Sequence, residues 1–169
     1  KIKRRIKAIG ADDISEKEGS FKKLVNEKLP IIVAGSSLKT RDKINIEEYR
    51  NLAIAFQTLV DVIDPNKAFF VTGGTNCGPE MLLHDAINKR NSKNNAYIIC
   101  LGAIPSCIGN DNNESDRKDF KKIRPGTITH GIVVEASKSW SQFPTKLLEI
   151  ANGKYTNKNG IGIFIGGGN

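Results

Sequence analysis

The chain has little of what several classes of function require. Only three cysteines occur, Cys77, Cys100 and Cys107, an odd number with no CxxC spacing. That argues against both a zinc site and a disulfide framework. Two histidines, His84 and His130, stand apart without clustered cysteines or acids, so no metal site is expected. Aromatic residues make up 7% of the chain, and no basic-aromatic stripe is present for stacking bases. No apolar run is long enough to span a bilayer. The basic stretch Lys1 to Lys7 leads into Ala8-Ile9-Gly10-Ala11 and then acids, not into the apolar centre of a secretory signal. A membrane partner is therefore not expected, and reduced thiols fit the cytoplasm. Neither a Walker motif nor GxGxxG appears, and no cofactor is implied.

What is present fits one domain with one core: 169 residues, 38% hydrophobic and 26% charged. The formal net charge of +8 favours anionic partners such as phosphates or nucleic acid. The basic residues are spread along the chain, apart from the cluster Lys1, Lys3, Arg4, Arg5 and Lys7. A solvated lysine-rich surface is therefore preferred to a nucleic-acid interface.

Residues 1–29 read as a polar, basic lead-in with one weak helix from about Glu16 to Leu29, ended by Pro30. Residues 30–169 read as the folded domain. Ile31 to Ala34 is a short apolar run stopped by Gly35-Ser36-Ser37, the pattern of a strand buried on both faces. Ile46, Tyr49, Ala53, Phe56, Val60 and Ile63 fall at helical spacing, with Asn45 as N-cap. Ala68 to Thr72 predicts a second strand running into Gly73-Gly74. A helix from about Gly78 to Arg90 turns Leu82, Leu83, Ala86 and Ile87 inward. Tyr97 to Leu101 predicts a third strand stopped by Gly102, with Cys100 in its core. Residues 103–130 are polar and broken by Pro105, Gly109, Pro125 and Gly126, a long functional or mobile loop. Ile132 to Val134 is a fourth strand. Trp140, Phe143, Leu147 and Ala151 mark a helix capped by Asn152-Gly153. Ile161 to Ile165 is a last, buried strand running into Gly166-Gly167-Gly168. A buried strand followed by a glycine loop and no covering helix predicts further residues after Asn169.

Alternating strands and helices predict an α/β, Rossmann-like three-layer domain with a mainly parallel sheet. Ligands of such sheets bind at the carboxyl ends of the strands, where Gly35, Gly73-Gly74, Gly102 and Gly166 to Gly168 are all expected. Thr72 to Glu80 joins a strand to a helix. Its glycines, with Thr75, Asn76 and Gly78, let backbone N–H groups approach a phosphate at the helix N-terminus. Pro79 suits the first helical turn. Glu80 either complements the helix dipole or accepts a ribose hydroxyl. Ser36 and Ser37 either donate to a phosphate or cap a turn. Cys77 reads as a loop residue, with an activated nucleophile as the alternative. His84 reads as a partly buried surface residue, and His130 as a loop residue near the ligand edge with an acid-base role as the alternative.

The order of these motifs resembles the SLOG superfamily over roughly residues 31–169. The matching pattern is strand-Gly35-Ser36-Ser37, a long helix, strand-Gly73-Gly74 with Gly78-Pro79-Glu80-Met81, strand-Gly102 with Pro105, and strand-Gly166-Gly167-Gly168. That group includes the Lonely Guy (LOG) proteins, once labelled lysine decarboxylases, and the DprA-like domains. It also includes ligand-sensing domains of bacterial immunity proteins and the N-terminal domains of some cation channels. The resemblance implies a Rossmann-like fold that binds nucleotides or nucleotide-derived signals. LOG enzymes are hydrolases that cleave the N-glycosidic bond of cytokinin ribotides. They use a proline-glycine-glycine loop followed by Gly-Thr and a glutamate, with an arginine upstream. Here Gly166 stands in place of that proline, the chain stops at Asn169, and no arginine follows Arg124. The expectation is therefore a sensor or ligand-binding domain for a nucleotide or nucleotide-derived small molecule. A nucleotide N-glycosidase and a basic nucleic-acid-binding module are the alternatives. A homo-oligomer is compatible with any of the three.

Overall fold

The computed structural model describes residues 14–35, 46–93, 97–105, 128–134 and 147–166. The elements in chain order are α1 (Ile14–Val25), β1 (Leu29–Gly35), α2 (Ile46–Val62), β2 (Ala68–Thr72), α3 (Gly78–Asn91), β3 (Cys100–Pro105), β4 (His130–Val134), a wide helical turn (Ile150–Lys154) and β5 (Ile161–Ile165). The five strands form one sheet in the order β4-β3-β2-β1-β5, and every pair is parallel. The expected α/β, Rossmann-like architecture is the one found.

Parallel strands covered on both faces must be apolar at every position. In β2 all five positions are buried, the apolar Ala68, Phe69, Phe70 and Val71 and, at its end, the polar Thr72. The two-residue alternation of a strand divides them between two cores. Phe69 and Val71 join Ile32, Ile99 and Leu101 under α1 (Phe21, Val25), with Leu147, Ile150 and Tyr155. Ala68 and Phe70 join Ile31, Val33 and Cys100 under α2 (Phe56, Val60) and α3 (Leu83, Ala86, Ile87). Each large side chain contributes about 1.5–3 kcal/mol by leaving water. Right-handed crossovers explain the layering. Helices α2 and α3 follow β1 and β2 while the chain steps one way, so both fall on one face. The return to β5 beyond β1 uses the opposite face, where Leu147 and Ile150 pack.

Several expectations need correction. Helix α1 ends at Val25, and Leu29 and Pro30 already belong to β1. A proline is unusual inside a sheet because it lacks the N–H. Here Leu29 donates its N–H to Lys67 O on the β2 side (2.8 Å), so Pro30's missing N–H falls on the β5 side. Pairing with β5 begins one residue later, at Ile31. The third strand starts at Cys100, not Tyr97, and runs through Gly102 to Pro105. The Asn91 side chain explains the late start: its Oδ1 accepts the Ile98 N–H (2.8 Å) and its Nδ2 donates to Ile98 O (2.9 Å). A side chain thus satisfies the backbone that a ladder would have satisfied. The fourth strand begins two residues early, at His130. Strand β5 has the expected bounds but, among the described residues, lies at the sheet edge and pairs only with β1. Ile161 and Phe164 are therefore exposed, Phe164 at 74%. The helical turn before it runs to Lys154, past the expected cap at Asn152-Gly153, although both of these depart from helical geometry within it, Gly153 at φ 92. Trp140 and Phe143 lie outside the described residues. None of the described helices is long and apolar enough to cross a membrane.

Candidate functional site

Because all strands run parallel, their C-terminal ends share one rim. Strands β1 to β4 step outward in sequence order, whereas β5 returns to the other side of β1. The order therefore reverses between β1 and β5, the position where open α/β sheets leave a crevice for ligands. Gly35 ends β1 and Gly166 follows β5, on either side of that point. Gly73-Gly74 follows the neighbouring β2. A Cβ on Gly35 would lie 2.7 Å from Pro79 Cδ and Cγ and 3.4 Å from Ile165 O. The β1 end, the β5 end and the start of α3 thus meet in direct contact, which requires glycine at position 35.

The β2–α3 loop is held by its own backbone. Gly74 and Gly78 have φ of 67 and 57, a region that side chains with a Cβ disfavour. Thr72 Oγ1 accepts the Gly74 N–H (3.1 Å) and also bonds His84 Nε2 (2.9 Å). Thr75 Oγ1 lies 3.0 Å from Cys77 Sγ. Cys77 is the cap residue of α3 but makes no side-chain cap bond, and Pro79 lies in the first turn. The first-turn residues Gly78 to Met81 are themselves buried, and Pro79 has no N–H to offer.

Gly102 is not at a strand end. It pairs level with Thr72 inside the sheet. A Cβ there would lie 2.8 Å from Gly74 Cα and would overlap the Ile128 side chain. Its role is to let the loop settle onto β3. Asn76 is half-buried, and Thr75 and Glu80 are buried. Ser36, Ser37, Gly167 and Gly168 lie outside the described residues.

The buried groups beneath the loop form a cluster that the sequence pattern alone does not assemble. Burial is the main influence on the Glu80 carboxyl and raises its pKa to about 7, an effect that polar groups of Gly73 and Thr75 offset in part. Its Oε2 has no partner among the described residues, nor does His84 Nδ1. His84 is fully buried against β2, not at the surface, and burial lowers its pKa to about 4. Burial also pushes the Cys100 thiol up to about 12 and raises Cys77. The thiol of Cys77 is thus held protonated, the reverse of what an activated nucleophile needs. The available signal was the spacing: Glu80 and His84 are four residues apart, and so share a helix face, while Thr72 ends the strand that face covers. His130 belongs elsewhere. It packs on Phe21 (ring centroids 5.2 Å), on the sheet face opposite α3, and burial lowers its pKa. Among the described residues no group of histidines, cysteines and acids could hold a metal ion.

No protein-family model matches the chain, and no curated protein matches it.

Proposed function

We propose that the C-terminal rim of the sheet binds a nucleotide or nucleotide-derived small molecule, the chain serving as a sensor or ligand-binding domain of the SLOG type. One observation carries this reading. The glycine-bearing ends of β1, β2 and β5 and the N-terminus of α3 come together at the reversal of strand order. Glycine at one strand end is ordinary turn chemistry. Glycines that allow three ends to converge beside a helix N-terminus without a side-chain cap form a backbone cradle suited to an anion. The net charge of +8 favours anion capture at longer range. The opposite rim has a different character, because side chains bridge its segments. Thr156 Oγ1 lies 2.7 Å from the carbonyls of Asn26 and Lys28, and Lys28 Nζ donates to Pro65 O (2.7 Å).

Hydrolysis of an N-glycosidic bond needs an acid or base in reach of the ligand. Glu80, the acid that opens α3, packs its buried carboxyl against Gly73, where an anionic group would sit rather than a glycosidic bond, and this supports binding over that reaction. The test is calorimetry against AMP, ADP-ribose, NAD and cyclic nucleotides. The expected result is saturable binding of at least one of them without base release. Failure of every ligand to bind would move the weight to a basic interaction module. Base release during the titration would move it to the hydrolase.

A further inference from the structure

Glu80 folds its carboxylate back over the loop that precedes it. It lies against Gly73 and Thr75, whose polar groups offset part of the effect of its burial. A Cβ on Gly73 would lie 2.8 and 2.9 Å from the two carboxylate oxygens, so glycine at 73 is what lets the carboxylate in. The backbone donors there are the ones such a loop would offer an oxyanion. Glu80 is only 7% exposed, and its Oε2 has no partner among the described residues. A residue kept solely to cap a helix would rarely leave a buried oxygen unsatisfied.

We propose that the Glu80 carboxylate is a built-in competitor for the anionic group of the ligand: it occupies the donors of the Gly73–Thr75 loop and must yield them before an oxyanion is captured there. The inference rests on the rim reading and adds a control to it. Among the described residues, the titratable groups around Glu80 are Cys77 in its own loop, Cys100 on β3 and, one turn along α3, His84. Burial keeps both thiols protonated and the imidazole neutral near pH 7, so Glu80 is the group that changes charge there. With its pKa raised to about 7, the competitor loses its charge as pH falls through neutrality. Anion capture then strengthens below that point and weakens above it.

Sulfate and ADP-ribose are suitable probes, because neither changes charge around neutral pH. The Glu80 side-chain carboxyl of the whole chain is followed by carbon NMR against pH, with and without each probe. Linkage requires a saturating probe to raise the apparent pKa of Glu80. Affinity should rise roughly tenfold from about pH 8 to about pH 6. Glu80→Gln should bind with little pH dependence, at the affinity the native chain shows in acid. The NMR arm needs no variant, so poor folding of Glu80→Gln leaves the test intact. If a probe binds while the Glu80 pKa stays put and affinity is flat with pH, the competitor is overturned and the rim reading stands. If neither probe binds at any pH, both are overturned.

Discussion

Glu80 and His84, one turn apart on α3, are displaced by burial in opposite directions on the pH scale, and stability should show it. Glu80 has a folded pKa raised from 4.5 to about 7. Its contribution to stability is full below pH 4.5 and is lost as pH rises through about 7. His84 has a folded pKa lowered from 6.5 to about 4. Its contribution is full above pH 6.5 and is lost as pH falls through about 4. Between these limits the two trends oppose each other. Each is worth on the order of 3 kcal/mol over its full range. Urea denaturation should therefore find Glu80→Gln losing stability on acidification from pH 6.5, and His84→Gln gaining it. Slopes of the same sign in both variants would contradict the burial of these groups. Gly74 offers a second test at this scale. At φ 67, Gly74→Ala should cost roughly 1–2 kcal/mol and weaken nucleotide binding; an unchanged melting temperature would deny the strained turn.

The elements divide into those whose cause is local and those whose cause is distant. Helix α2 was legible because Phe56, Val60 and Ile63 repeat at helical spacing, and β2 because five successive residues suit burial on both faces. Strand β5 was legible in its bounds but not in its exposure, since Ile161 to Ile165 looks the same at a sheet edge as at its centre. The start of β3 was not legible. It depends on Asn91 reaching across to Ile98, a contact between residues whose pairing no periodicity announces. Pro30 misled for a related reason: it stops helices, yet it is tolerated in β1 because β5 begins to pair one residue later. The loop cluster was half legible. The glycines stood out, whereas the Thr72–His84 bond required the packing of α3 on β2. Asn91→Ala should cost about 1–3 kcal/mol by stranding the buried Ile98 backbone groups and should speed hydrogen exchange at Ile98. Asn91→Asp, which keeps an acceptor for the Ile98 N–H, should cost less. Equal loss in both variants would contradict this account of where β3 begins.

At the scale of the whole molecule, parallel strands give the sheet two unlike rims. One is bridged by Thr156 and Lys28, and the other carries Gly35, the Gly73–Gly78 loop and Gly166 around the reversal of strand order. Because capture of an anion by a chain of charge +8 is partly long-range, nucleotide affinity should fall as salt rises. Loss on the order of a few-fold between low and physiological salt would fit a single site on the rim. A much steeper dependence, abolished by deleting residues 1–7, would instead fit nucleic-acid binding through the basic lead-in. The most direct test of the rim site is amide NMR of the labelled chain during titration with the tightest ligand of the nucleotide panel. Gly35, Gly73 to Gly78 and Gly166 should shift together, while Lys28, Lys67 and Lys158 at the opposite rim stay in place. Shifts confined to that opposite rim, or to residues 1–7, would contradict the rim site.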